Sequence, residues 1–367
     1  MSMKNKKINI MLMVLAVIVI GLMFTGIILM GREKKEERIM VGFIMSGSAD
    51  ETGWNGMHYA GVKQACDEMD VELILKENVE EFSGQCPIAI DELVAEGADM
   101  IILSSYGYSE EVAEKVKEYP QIAFYGNSSE FHDENMTSYF VRMYQVRYLS
   151  GIIAGMKTES NQVGYVAAMS NHEVNRGISA FTLGVKRVNP DAEVVVAWTG
   201  EWEDEEKEKE MAQALIEDEG VDVLAYHQNL PYVVDVAEEA GIYSIGYHEA
   251  KAESSDKHLT AAVCSWDVIY RELIREYMRG NDNQVRNYWI GMEAGAVELT
   301  AYSSLVSEEE KAEVELAKEE ILNGQDVFSG LIYDTEGKVQ CQEGATIADE
   351  ILLEQFDWFV KGVRFYE

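Results

Sequence analysis

Three observations predict a two-lobed α/β fold, each lobe a parallel sheet with helices on both faces, behind one N-terminal membrane-spanning helix. Short apolar runs rich in β-branched and aromatic residues alternate with helical patterns along the whole chain after Arg38. A helix end, a glycine and a strand start recur in that order. The part beyond Arg38 is also long enough for two lobes, at roughly 150 residues per domain.

The N-terminal helix is read from Ile10 to Met30, an apolar run interrupted only by Gly21, Thr25 and Gly26. At about 1.5 Å per residue it spans roughly 31 Å, the thickness of a bilayer's hydrocarbon core. Lys4, Lys6 and Lys7 precede it, as in an export signal. No small-x-small cleavage site and no cysteine follow it, so an uncleaved signal anchor with the remaining chain outside the cytoplasm is expected. Arg32, Lys34, Lys35 and Arg38 lie on the far side and count against that orientation.

Strands are expected at Ile39–Met45, Val71–Leu75, Met100–Leu103, Ile122–Tyr125, Val163–Ala168, Val194–Trp198, Val221–Tyr226 and Tyr243–Tyr247, all too short for helices. Between them, Val62, Ala65, Cys66 and Met69 follow i, i+3, i+4, i+7 and turn one stripe inward. The junction from Leu93 through Gly97 to Met100 returns at Leu215–Gly220–Val223 and, more loosely, at Ala240–Gly241–Tyr243. Glycine there ends a helix in the left-handed conformation without a Cβ clash. Alternation of this kind gives parallel sheets covered on both faces, and so many βα units point to two sheets.

Charge narrows the partners. Of 30 basic and 66 acidic residues, 7 and 3 lie in positions 1–38, leaving 23 against 63, a net of −40. Such a surface repels nucleic acid and anionic lipid and disfavours polyphosphate ligands. Cys66, Cys86, Cys264 and Cys341 form no metal-spaced pair; Cys66 reads as a buried thiol. There is no G-x-S-x-G elbow, HExxH helix, P-loop or GxGxxG after a strand, and Glu203–Asp204 read as a solvated helix start. No enzyme activity, cofactor or metal is expected.

Parallel α/β sheets bind ligands beyond the carboxyl ends of their strands. That rule selects Ser46, Tyr106–Tyr108, Met169–Ser170, Thr199–Trp202, His227–Asn229 and Tyr247–His248, which line one cleft if two lobes face each other.

Several ordered motifs then resemble one family. They are Gly53–Trp54–Asn55 with His58–Tyr59–Ala60–Gly61; Tyr139 to Gly151; Gly164 to Ala168; Glu173 to Gly184 (EVNRGISAFTLG); Val188 to Asp191; Trp202 with the charged run after it; Ile245 to His248; Asn287–Tyr288–Trp289; and Asp357 to Gly362. Together they resemble the basic membrane protein family of ABC-transporter substrate-binding proteins, the purine nucleoside receptor-like group. The resemblance implies the type I periplasmic-binding fold, a small-molecule ligand, and permease and ATPase partners. On this organisation 1–38 is anchor and linker. One lobe is 39–140 with roughly 266–292 returning to it; the other is 141–265, completed by roughly 293–367.

The resemblance also implies an aromatic clamp on a flat purine base, carried over to Trp54 and Trp202; hinge or surface packing is the alternative for both. Nucleoside-binding members read ribose with an aspartate in a Gly-x-Asp-like turn and a lysine one strand later. Here the turn is Gly246–Tyr247–His248, and Ala261 to Trp266 has no lysine. A free base such as adenine is therefore favoured, with a nucleoside as the second choice, and Trp266 or Tyr247 closes the sugar's space. Ser46, Trp54, Asn55, Tyr106, Trp202, His227, Tyr247 and His248 are the expected ligand-binding residues. A membrane-tethered sensor of the same fold, signalling to a membrane partner without transport, is the rival function.

Overall fold

Buried apolar strands flanked by one-sided helices leave each sheet only one arrangement, with helices covering both faces. The computed structural model describes residues 38–51, 53–109, 111–129, 131–248, 256–280 and 287–367. The chain runs β1 (Met40–Ile44), α1 (Trp54–Met69), β2 (Glu72–Lys76), α2 (Gln85–Glu96), β3 (Met100–Leu103), α3 (Ala113–Glu118), β4 (Ala123–Asn127) and β5 (Met136–Val141). It continues through α4 (Met143–Lys157), β6 (Gln162–Ala167), α5 (His172–Val188), β7 (Glu193–Trp198), α6 (Glu205–Glu219), β8 (Val223–His227), α7 (Tyr232–Ala240), β9 (Tyr243–Tyr247) and β10 (His258–Cys264). Then come α8 (Trp266–Met278), β11 (Asn287–Ile290), β12 (Val297–Leu299), α9 (Glu308–Leu322), β13 (Ile332–Tyr333), β14 (Val339–Cys341), α10 (Asp349–Glu354) and β15 (Val363–Phe365).

The strands form two large sheets, ordered β11-β5-β4-β3-β1-β2 and β12-β10-β9-β8-β6-β7-β15, each the centre of one lobe; β13 and β14 make a separate hairpin. The chain passes between the sheets after Val141, Cys264 and Ile290. These passages are bonded to their neighbours, Arg142 N–H to the Ile290 carbonyl (2.7 Å) and Ser265 N–H to that of Ala296 (2.9 Å). The first sheet is parallel throughout. The second is not: β12 runs antiparallel to β10, which corrects the expectation of two purely parallel sheets. Between β10 and β12 the chain crosses to the first sheet through α8 and β11, and it returns from there to pair antiparallel at the edge of the second sheet.

The expected strands all form, with ends shifted by a residue or two. Strands β5 and β10 mix Thr, Ser and His into buried runs, so no clean apolar run announces them. Tertiary partners satisfy such groups: Thr260 Oγ1 donates to the Thr300 carbonyl (2.9 Å), and Ser244 Oγ pairs with His258 Nδ1 (3.0 Å). Gly97, Gly220 and Gly241 cap their helices with φ of 94°, 68° and 69°. On α1, Val62, Ala65 and Cys66 are buried. All four cysteines are buried and free. The membrane-spanning segment expected at 10–30 lies outside the described residues. Among those described, no helix is long and apolar enough to cross a membrane.

Candidate functional site

Both sheets reverse their strand order next to their first strand, between β1 and β3 in one and between β6 and β8 in the other. At such a reversal neighbouring loops leave in opposite directions and open a crevice beyond the strand ends. The two crevices face each other across a gap of about 400 Å³ that merges with open solvent. Trp54, Glu81, Ser105, Tyr106 and Asn127 line this chamber from the first lobe, and Glu173, Trp202, His227, Gln228, Asn229 and Tyr247 from the second.

Trp54 starts α1. Its indole N–H donates to the Ser104 carbonyl (3.1 Å), and its ring packs on His58 (4.3 Å), His248 (5.0 Å) and Trp266 (5.4 Å). Behind it His58 stacks on Trp266 at 3.8 Å and bonds the Tyr270 hydroxyl. Trp202 lies in the loop before α6, its ring 6.1 Å from His227. Asn229 joins the two tryptophans through its backbone: its N–H donates to the Trp202 carbonyl (2.9 Å), and its carbonyl accepts from Trp54 N–H (3.4 Å). The Gln228 amide, oriented so that its nitrogen donates to the carbonyls of Glu201 and Trp202 (3.0 Å each), accepts from Thr199 Oγ1 (2.8 Å).

Three polar groups set the chamber's electrostatics. Glu81 accepts from Ser105 Oγ and from Gly107 N–H (2.8 Å); burial raises its pKa against those two bonds. Glu173, in the first turn of α5, accepts from Ser128 Oγ of the other lobe (3.0 Å) and lies 3.5 Å from His227 Nε2. Burial lowers the His227 pKa to about 4 in spite of Glu173, so the ring is neutral at physiological pH. Behind the wall, the fully buried Arg147 donates to the Tyr226 carbonyl (2.9 Å) and lies 3.8 Å from the centre of the Tyr247 ring.

Trp54, Tyr106, Trp202, His227 and Tyr247 thus stand together on the chamber wall, whereas Ser46, Asn55 and His248 do not. Ser46 and Asn55 are tied to each other (3.3 Å), and Asn55 to Glu51 (2.8 Å). His248 is buried, with φ 56° and no hydrogen bond to its ring nitrogens among the described residues, and it backs Trp54. Gln228 and Asn229, within the strand-end stretch His227–Asn229 but outside the narrower ligand-binding set, also line the chamber, as do Glu81, Ser105, Asn127 and Glu173, which the sequence reading does not name as ligand contacts. Strand ends mark Ser105, Asn127, Gln228 and Asn229; Glu81 sits in a loop with no sequence signal. No cluster of metal-ligating side chains occurs among the described residues.

The model of the Bmp family, ABC transporter substrate-binding protein PnrA-like, matches residues 38–328. A purine-binding protein of Brucella abortus is 30% identical over 342 residues, 92% of this chain and 96% of its own. A Haloferax volcanii protein named "Putative ABC transporter glucose-binding protein TsgA13" is 31% identical over 337 residues, 91% of this chain and 82% of its own. The crystal structure of a transcriptional activator of the comK gene from Bacillus halodurans superposes with a TM-score of 0.68 at 26% identity, covering 78% of this chain and 99% of that one. The chain belongs to the Bmp family of PnrA-like ABC transporter substrate-binding proteins.

Proposed function

We propose that this protein is the extracytoplasmic binding component of an ABC importer, tethered by its N-terminal segment, and that it captures a purine-type ligand between Trp54 and Trp202. The observation that carries the reading is an aromatic chamber between two lobes with an indole contributed by each. A flat heteroaromatic ring gains about 1–3 kcal/mol per stacked face, by analogy with base stacking on proteins. Both faces find partners only when the lobes are closed, so the ligand selects the closed state. Similarity to the Brucella purine-binding protein supports this ring class, and similarity to the Haloferax protein makes glucose the natural competitor. Neutral His227 and the Tyr247 hydroxyl offer hydrogen bonds to a base edge.

Calorimetric titration of adenine, guanosine, ribose and glucose tests the reading. A purine should bind and the plain sugars should not. Glucose binding as tightly as any purine would remove the purine assignment.

Similarity to the comK activator favours a second reading, a tethered ligand sensor. Loss of radiolabelled purine uptake in cells lacking this chain supports import. Unchanged uptake with an altered transcriptional response to purine supports sensing.

A further inference from the structure

Past the family-matched residues 38–328 the chain turns back toward the place where it crosses between the lobes. There α10 packs on α5 of the second lobe. Arg176 of α5 donates to the Leu352 carbonyl, and Asn175 Nδ2 donates to that of Phe356 (3.3 Å). Leu352 and Phe356 are themselves buried, so α10 is seated firmly on this lobe.

Its remaining contacts reach the hinge and the first lobe. Arg142, the residue at the first crossing, bonds Asp349 with both terminal nitrogens, Nη1 at 2.9 Å. The same guanidinium lies 4.2 Å from the centre of the Trp289 ring, on β11 of the first sheet. Trp289 in turn donates from its indole to the Val141 carbonyl (3.1 Å), and Arg176 lies 5.0 Å from its ring. At the other end of α10, Glu354 lies 3.9 Å from His132 Nε2, in the loop between β4 and β5. Leu353 and Glu354 line, with Ser128, Ser129 and Ser138 of the first lobe, a gap of about 750 Å³ that merges with solvent.

An exposed ion pair alone contributes little, because water screens it and two side chains lose freedom in making it. Arg142 escapes much of that loss. The Trp289 ring and a bond to the Tyr144 hydroxyl (3.1 Å) already fix its guanidinium, so the two-pronged grip on Asp349 needs little further ordering. Opening the cleft turns the chain about Arg142 and draws Glu354 away from His132, so both contacts belong to the closed arrangement.

We propose that α10 is an interlobe latch: seated on the second lobe, it grips the hinge at Arg142 and the first lobe at His132, and it holds the cleft closed even without ligand. It biases the same equilibrium that a ligand between the tryptophans biases, from a point outside the aromatic chamber. The latch acts alike for a purine or a sugar, so it stands apart from the ligand reading above.

The test measures the distance between lobes in the full-length protein, dialysed free of small molecules. Nitroxide labels on Gln121→Cys in the first lobe and Gln213→Cys in the second, both exposed, report it by pulsed electron resonance; the four native cysteines are buried. One short distance should dominate in the otherwise wild-type protein. Asp349→Ala with Glu354→Ala should lower the closed-to-open ratio about tenfold and bring up a longer distance, and each change alone should lower it about threefold. Glu350→Ala removes the same charge from an exposed position of the same helix and should leave the distances as they were. Melting within about 2 °C of wild type reports an intact fold; if the double variant melts lower, the two single variants decide. Unchanged distances in the variants, an open wild type, or an equal shift in Glu350→Ala overturns the proposal.

Discussion

The two tryptophans that line the aromatic chamber, one from each lobe, are held very differently. Trp54 is fastened at its indole N–H by Ser104 and packed from behind by His58, His248 and Trp266, so its ring is in place before any ligand arrives. Trp202 has one ring neighbour at 6.1 Å, and its loop is tied through backbone groups to Gln228 and Asn229. The first wall is thus part of a core, and the second is completed by the loop and the partner lobe. Of the two, the first wall should carry both affinity and stability and the second affinity alone.

Trp54→Ala should break the most. Losing the stack and leaving a hole in the aromatic cluster, it should weaken ligand binding by about 100-fold and lower the unfolding free energy by about 3 kcal/mol. Calorimetry and denaturant melts check both. Trp202→Ala should weaken binding by about tenfold while leaving the melt within about 0.5 kcal/mol of wild type. An equal stability loss in the two variants would erase the contrast between the walls.

Gly53→Ala probes the seam where they meet. Gly53 has φ 85°, and a Cβ there would sit 2.1 Å from the Asn229 carbonyl oxygen of the other lobe. Closure should therefore be opposed, with about fivefold weaker binding and a larger radius by small-angle scattering in saturating ligand. An unchanged radius would mean that this contact does not report closure.

The smallest effect should be one of pH, on the Trp202 side. Glu208 is buried in α6; its carboxylate accepts from Asp204 N–H (3.1 Å), two residues after Trp202, and burial pushes its pKa up to about 8. The folded state therefore holds this proton more tightly than the unfolded chain. The stability it contributes is complete below about pH 4.5 and is lost as pH rises through 8. Glu208→Gln should melt about 3 °C above wild type at pH 8.5 and match it near pH 4.5. Equal melting at both values would remove Glu208 as the source.

Much of the fold was legible because it rests on local pattern. Runs such as Met100–Leu103 and Tyr243–Tyr247 are strands with the bounds their composition predicts, and the left-handed glycines end helices where the repeated junction places them. The strand-end rule points to Tyr106, Trp202, His227 and Tyr247, and the family resemblance adds Trp54; all five line one chamber. The rule stopped short at Asn127, because Gly126 ended the apolar run two residues before β4 ends. It overreached at Ser46 and His248, which also follow strands but are turned away by Asn55 and by the aromatic packing around Trp266.

What the sequence by itself determined, then, is the α/β alternation, the acidic surface and the loops from which a site could be built. Period, propensity and charge act over a few residues and survive without a tertiary frame. Only the tertiary structure decided which of those loop residues share a space. Glu81, Glu173 and Ser128 come from segments with no common pattern, and Leu353 lies far down the chain from all of them. They meet because two sheets reverse strand order on facing edges and a C-terminal helix packs back onto α5, and no local signal encodes such juxtapositions between distant segments.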